Sequence, residues 1–409
     1  MQYIFFSPSY TVGGVQTLFI RLANAFSNSH NIAYIDYKSG FSYGKLNSNI
    51  EHIEYVEHSR LKIPQNSILV IQANYATMPL NDIFEFSGNT RLFFWQLHPQ
   101  NPYVSIPYSS KINLDSFLSR KLFNKQFKMI ESVTEFAVKQ GGYYAMDSSN
   151  VDSINFACPS LKIEMLPLYL GEPDDLNCDG INESCFSVDP VRLTWIGRLE
   201  KGFKTNILER VLSDASKLRG QVTIQIVGTG EGEEQIRRHS KVCGLEVDYY
   251  GSVDENELKT IIKKSDIVFA MGTSAIIAAR EIVPTICLDF SYHKVPQSYR
   301  YRWLYESKGL SLGNSFKGND FPKENTHSFE GVIQCIRGNK GEISRLCYDY
   351  VKKNYFLPSD YYYDLISRTQ VNSFDLLKIQ EENAKAMIIG KIRHQAFRLL
   401  DKLRQKNVK

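Results

Sequence analysis

Several things are missing from this sequence, and each absence excludes something. No apolar run approaches the roughly 18–20 residues needed to cross a bilayer. The seven cysteines fall singly, with no Cys-x-x-Cys pair and no metal-ligand spacing, so reduced thiols in a cytoplasmic setting are expected rather than disulfides. The opening Met1-Gln-Tyr-Ile-Phe-Phe6 lacks the basic flank and long apolar stretch of a signal peptide and reads as a first strand. There is no Asp-x-Asp dyad to hold a metal, no Gly-x-Gly-x-x-Gly fingerprint, no low-complexity tract and no short repeat. No basic stripe spans the main body, which argues against a nucleic-acid partner.

What is present is an ordinary globular composition, 43% hydrophobic and 22% charged, on a chain of 409 residues. That length favours two domains of about 150–200 residues each. Tyr and Phe number 24 each, enough for wide aromatic surfaces of the kind that meet sugars. Charge is uneven. From Leu376 to Lys409 nine Lys/Arg face three Asp/Glu, so this end carries +6 and the remainder −2 of the overall +4. Residues 171–190 hold six acids and no Lys or Arg, among Gly, Pro, Asn and Ser, as an inter-domain linker would.

The two halves share a rhythm. Short apolar runs recur at Tyr3–Phe6, Ile32–Ile35, Ile68–Ile71, Leu92–Trp95, Glu135–Val138 and Ile163–Leu170, then at Arg192–Ile196, Val222–Val227, Val247–Tyr250, Asp266–Ala270 and Thr285–Leu288. Between several lie helical patterns, such as Leu18, Leu22, Ala25 and Phe26, or Leu258, Ile261 and Ile262 after the cap-like Asp254-Glu-Asn-Glu257. Strands alternating with helices predict an α/β fold: parallel sheets covered on both faces, in two domains.

The most informative stretch is Val191-Arg-Leu-Thr-Trp-Ile-Gly-Arg198, followed six positions on by Lys204. Gly197 permits a tight turn where a buried strand ends. Arg198 then projects from the carboxyl end of the sheet, where open α/β folds bind ligands. With Lys204 opening the next helix, two cations meet a helix N-terminus, a site suited to a diphosphate. Three further strand ends point the same way. Gly13-Gly14 precedes a helix, Gly228-Thr-Gly230 follows Val222–Val227, and Thr273-Ser274 follow Ile267–Ala270. Glycines let backbone N–H groups approach a ligand, and hydroxyls at a helix start donate to a phosphate or cap the helix. Asp36 ends the second strand and leaves a weak dinucleotide reading open. The cluster Tyr292-His-Lys-Val-Pro-Gln-Ser-Tyr-Arg-Tyr-Arg-Trp303 fits either a carbohydrate contact or packing against the domain.

The order of these pieces, with His98 ending Leu92-Phe-Phe-Trp-Gln-Leu-His98, Tyr250-Gly-Ser-Val253 and Ser265-Asp-Ile-Val268, resembles the GT-B-fold glycosyltransferases. The likeness is to the retaining family-four enzymes (glycosyl transferases group 1), strongest over Val191–Asp289. It implies two Rossmann-like domains facing across a cleft, with a C-terminal basic helix: an acceptor-side domain at 1–170, the acidic linker at 171–190, a nucleotide-sugar domain at 191–360, and a helical basic tail at 361–409. It also implies that Arg198 and Lys204 contact the donor diphosphate, that Gly13 and Gly14 approach phosphate and sugar, and that His98 faces the donor sugar. The expected activity is metal-independent, cofactor-free transfer from a nucleotide sugar to a glycan or lipid-linked acceptor in surface polysaccharide assembly. An epimerase of the same fold and a non-catalytic nucleotide-sugar binder are the alternatives.

This chain departs from the family where a Glu usually holds the ribose, seven residues before the Pro of the next strand. Here that Pro is Pro284 and the position is Ile277. Glu281, one helical turn on, is the available substitute. The family's Gly two before the Pro is Ile282. From Ala384 an apolar stripe with Lys and Arg between predicts a helix that packs on the domains. Its end, Arg398–Lys409, is expected to lie on an anionic membrane surface at the cytoplasmic face.

Overall fold

The computed structural model describes residues 1–11, 13–106, 117–172 and 190–384. The chain forms two compact units, one from Met1–Glu172 with the described residues from Leu357 onward, the other from the described residues of 173–356.

In the first unit the strands are β1 (Gln2–Phe6), β2 (Asn31–Asp36), β3 (Glu51–Glu54), β4 (Leu61–Ile63), β5 (Ser67–Gln72), β6 (Phe84–Phe86), β7 (Arg91–Gln96), β8 (Tyr143–Ala145) and β9 (Glu164–Met165). Seven form one parallel sheet in the order β3-β2-β1-β5-β7-β8-β9, and β4 pairs with β6 separately. Because strand side chains alternate, each apolar strand feeds two cores. Tyr3, Phe5, Ile32, Tyr34, Ile68, Val70, Phe93 and Trp95 face one side, with the helix Gly14–Phe26 and Tyr362 and Ile366 of the helix Ser359–Ser367. Ile4, Phe6, Ala33, Ile35, Leu69, Ile71, Leu92 and Phe94 face the other, with the helix Asn124–Lys139.

The second unit holds β10 (Val191–Ile196), β11 (Val222–Val227), β12 (Val247–Gly251), β13 (Ile267–Ala270) and β14 (Thr285–Cys287), all parallel in the order β12-β11-β10-β13-β14. The helix Glu255–Lys263 starts as the sequence suggests, with Asp254 Oδ1 accepting the N–H groups of Asn256 and Glu257 at 2.9 Å each.

The α/β architecture agrees with the expectation, and three local readings are corrected. Glu135–Val138 is not a strand. It lies inside the helix Asn124–Lys139, whose buried Phe127, Ile130, Val133, Thr134 and Ala137 recur at three- and four-residue intervals. Of Ile163–Leu170 only Glu164–Met165 pairs, on β8. The segment from 361 is, over its described residues, no separate tail. Leu92 N–H donates to Val371 O at 2.9 Å, Thr369 Oγ1 to Leu92 O at 2.7 Å, and Gln380 Nε2 to Ala76 O and Met78 O at 2.8 Å, so this stretch closes the first unit. The apolar stripe beyond Ala384 through Leu403, the basic end Arg398–Lys409 and most of the acidic linker lie outside the described residues. No described helix is long and apolar enough to cross a membrane.

Candidate functional site

Parallel strands end at one edge of their sheet, so topology alone gathers the strand-end loops. In the second unit β11, β10 and β13 are neighbours, and their loops carry Gly228 and Gly230, Arg198 and Lys204, and Thr273 and Ser274. The first two loops interlock. Gly197 N–H donates to Val227 O at 3.0 Å, Leu199 N–H to Thr229 O at 2.9 Å, and Gly232 N–H to Leu199 O at 2.8 Å. A Cβ on Gly228 would stand 2.0 Å from Gly197 O, and one on Gly230 would stand 2.5 Å from Leu199 O. Gly228 also sits at φ +134°, which side chains avoid. These glycines are required by loop-on-loop packing, and through it they fix the turn that presents Arg198.

On that turn Arg198 is exposed, with two-thirds of its side chain in solvent, whereas the Lys204 side chain is 16% exposed. Glu200 stands between them: Arg198 Nη1 is 3.2 Å from Glu200 Oε1, and Lys204 Nζ is 3.8 Å from Glu200 Oε2. Burial of the Lys204 ammonium lowers its pKa below the ordinary value, opposed by Glu200 and assisted by Arg198. At the end of the neighbouring strand β13 begins the helix Thr273–Arg280. Its N-cap is Gly272, at φ 63°, ψ −147°, a region open essentially only to glycine, and no side chain caps it. Neither Thr273 nor Ser274 serves as the cap, and both are half-buried in its first turn. Gly272 N–H donates to Leu312 O at 2.7 Å, so a loop about forty residues downstream also borders the site.

Glu281 is not among these residues. It closes the far end of the same eight-residue helix, about 12 Å along its axis at 1.5 Å per residue. There it pairs with Lys263 at 3.4 Å. Ile277 is half-buried one turn inside the helix. The Tyr292–Trp303 cluster mostly serves the core, since Tyr299, Tyr301, Arg302 and Trp303 are buried. Arg302 Nη1 lies 2.7 Å from Asp289 Oδ2, which also accepts from Asn325 Nδ2 at 2.7 Å and Tyr299 OH at 3.2 Å. Tyr292 remains exposed, against Phe203 and Phe290.

In the first unit Gly13, Gly14 and His98 share one sheet edge, at the ends of β1 and β7 with β5 between. Gly13 is the N-cap of the helix Gly14–Phe26, again without a side-chain cap, and a Cβ on Gly14 would meet nothing within 4 Å. Asp36 has no acceptor role left over for a ribose. It is buried and receives Ser9 N–H, Tyr37 N–H, Ser42 N–H and Ser42 Oγ–H, between 2.7 and 2.9 Å. His98 has side-chain surface open to solvent, yet the protein atoms crowded around its ring disfavour the charged form and lower its pKa below the ordinary imidazole value. Its Nδ1 accepts Gln100 N–H at 3.1 Å, which leaves Nε2 as the hydrogen-bearing nitrogen of the neutral ring.

Sequence reasoning missed Glu200, Gly272 and Leu312. A lone Gly between strand and helix was a signal for Gly272. A Glu four residues before a Lys looks like any helical pair, and nothing local points to Leu312.

Two parallel-sheet units with ligand-type loops at their carboxyl edges are the fold of the GT-B glycosyltransferases. The lipopolysaccharide outer core galactosyltransferase WaaB, in its apo form, superposes with a TM-score of 0.51 at 12% identity, covering 90% of this chain and 99% of that one. WaaG, a glycosyltransferase involved in lipopolysaccharide biosynthesis, gives 0.52 at 13% identity, covering 89% and 99%. No protein-family profile and no curated protein matches the sequence.

Proposed function

We propose that the protein transfers a sugar from a nucleotide-diphosphate sugar to a glycan or lipid-linked acceptor during surface polysaccharide assembly. The observation that carries this reading is the convergence of Arg198 and Lys204 after β10, next to the strand β13 that leads into the uncapped helix Thr273–Arg280. Sugar transfer breaks a C–O bond and leaves a diphosphate whose negative charge grows toward the transition state. Fixed cations and helix N–H groups stabilise that charge more than the ground state's. In this mechanism Arg198 and Lys204 serve the leaving group, and Thr273 and Ser274 add donors. Gly228 and Gly230 hold the Arg198 turn, Gly13 and Gly14 admit the donor closely, and His98 donates Nε2–H to a sugar hydroxyl. The transfer is proposed to retain anomeric configuration and to need no metal. Likeness of fold to two glycosyltransferases supports the reading. The basic end Arg398–Lys409 is proposed to rest on an anionic membrane, where a lipid-linked acceptor would lie.

Ile277 favours a second reading, a nucleotide-sugar binder without turnover, because an aliphatic side chain cannot accept a ribose hydroxyl. Incubation with a panel of nucleotide sugars, with and without lipid-linked and glycan acceptors, separates the two. Acceptor-dependent release of nucleoside diphosphate supports transfer, binding without release supports the second reading, and absence of binding overturns both.

A further inference from the structure

The two cations of the second unit already hold an anion of the protein's own. Glu200 contacts Arg198 through one carboxylate oxygen and Lys204 through the other. This is more than an exposed helical pair, which alone is worth little. The carboxylate is bridging, and its backbone is anchored. Thr205 N–H donates to Glu200 O at 3.2 Å, and the preceding Leu199 is tied on both sides to the Thr229–Gly232 loop. Lys204 is largely withdrawn from water and lies near a second positive charge. With no anion nearby, both effects favour loss of its proton or rotation of the side chain toward solvent.

We infer that Glu200 is an internal stand-in for the donor diphosphate, holding Arg198 and Lys204 charged and converged until a diphosphate arrives and then giving way to it. The inference rests on the donor reading above and adds what sets the affinity of that site. A carboxylate with two oxygens on two cations is replaced best by a ligand with two linked anionic groups. A single phosphate recovers less of the arrangement. After transfer, the returning carboxylate competes with the nucleoside diphosphate and favours its release.

The test is calorimetric titration of wild type, Glu200→Gln and Glu200→Asp with inorganic pyrophosphate, and with orthophosphate as the single-phosphate comparison, at one ionic strength. Gln is isosteric and removes the charge. Loss of one opposing charge about 6 Å from the ligand, at a dielectric between surface and bulk values, corresponds to roughly tenfold in affinity. Glu200→Gln is therefore expected to bind pyrophosphate about tenfold tighter than wild type by that same estimate, with a smaller gain for orthophosphate. Glu200→Asp, which keeps the charge, stays near wild type. Pyrophosphate bound by wild type but no tighter by Glu200→Gln overturns the stand-in role and leaves the donor reading standing. Pyrophosphate bound by neither form overturns both.

Discussion

Asn101 sets the posture of His98. Its side-chain Oδ1 accepts the backbone N–H of His98 at 2.9 Å and that of Leu97 at 3.0 Å, and its own N–H donates to His98 O at 2.9 Å. The same turn brings Gln100 N–H onto His98 Nδ1. The ring is thus presented neutral, with Nε2–H as a donor that has no partner among the described residues. Protonation at Nδ1 would set two N–H groups against each other.

Protonation of His98 should therefore be disfavoured relative to a free imidazole. Its folded-state pKa is lowered, so the unfolded chain binds the proton more readily. The contribution to stability is full above the ordinary imidazole value and is lost as pH falls through the lowered one. NMR titration of the His98 ring should show a midpoint below that of a denatured control. His98→Ala should reduce transfer while leaving binding of bare nucleoside diphosphate nearly unchanged. Asn101→Ala should lower transfer too, and Asn101→Asp, which keeps the acceptor oxygen, should restore much of it. A midpoint at or above the control's would refute the neutral-donor role.

Arg198→Ala and Lys204→Met should each lower turnover by about 10²-fold or more, the scale of losing one donor to a developing oxyanion. Met is chosen at 204 because the stem of that side chain is mostly buried and packs as a hydrocarbon. Steady-state rates with unchanged melting temperatures would bear this out. Wild-type turnover in both variants would remove the diphosphate assignment.

The glycines divide into two kinds that alanine can tell apart. Gly228→Ala forces a Cβ to 2.0 Å from Gly197 O at a positive φ, and a loss of at least about 2 kcal/mol is expected. Gly14→Ala places its methyl in open space at the first residue of a helix, where stability should hold or rise by up to about 1 kcal/mol. If Gly14 admits the donor closely, Gly14→Ala loses donor affinity without losing stability. Chemical denaturation and donor titration on the same two variants decide it.

Ile282 is in the left-handed region at φ 60°, just past the helix Thr273–Arg280, with its N–H on Ala279 O at 3.0 Å. A β-branched side chain there costs roughly 1–2 kcal/mol. Ile282→Gly should raise stability by up to about 1 kcal/mol once the lost packing of a half-buried side chain is subtracted. Denaturant midpoints measure it. A lower midpoint would mean that the packing outweighs the strain.

Wild-type protein is expected to sediment with anionic vesicles at low salt, and a variant ending before Arg398 is not, with the melting temperature of the fold unchanged. Equal sedimentation of the two would remove the membrane proposal.

The site was legible where chemistry is local. Val191–Arg198 is an apolar run bounded by Gly, and its strand, turn and projecting Arg all follow from those eight residues. The αL residue before Pro284 was visible as a position the family fills with Gly, and the backbone of Ile282 shows why. Legibility failed where partners are distant. Leu312 reaches Gly272 across about forty residues, and Thr369 and Val371 join β7 without a strand pattern of their own. It failed also where two periods compete, as at Glu135–Val138, whose apolar residues suit a short strand until the longer helical spacing is counted. Glu281 looked close to Ile277 in sequence, yet one further turn carries it toward the opposite edge of the sheet.

The return of the chain at Leu357 also orders events during synthesis. The strands β10 to β14 and the helices between them are continuous in sequence, so that unit has all its parts once Phe356 has been made. The first unit begins earlier but finishes later, because Val371, Thr369 and Gln380 fill places beside β7 and the Ala73–Thr77 turn that nothing nearer in sequence occupies. Until those residues leave the ribosome, Leu92 N–H has no carbonyl and part of that core stands open. The unit translated first is thus the last to close, and in that interval it is the part of the protein most exposed to misassembly.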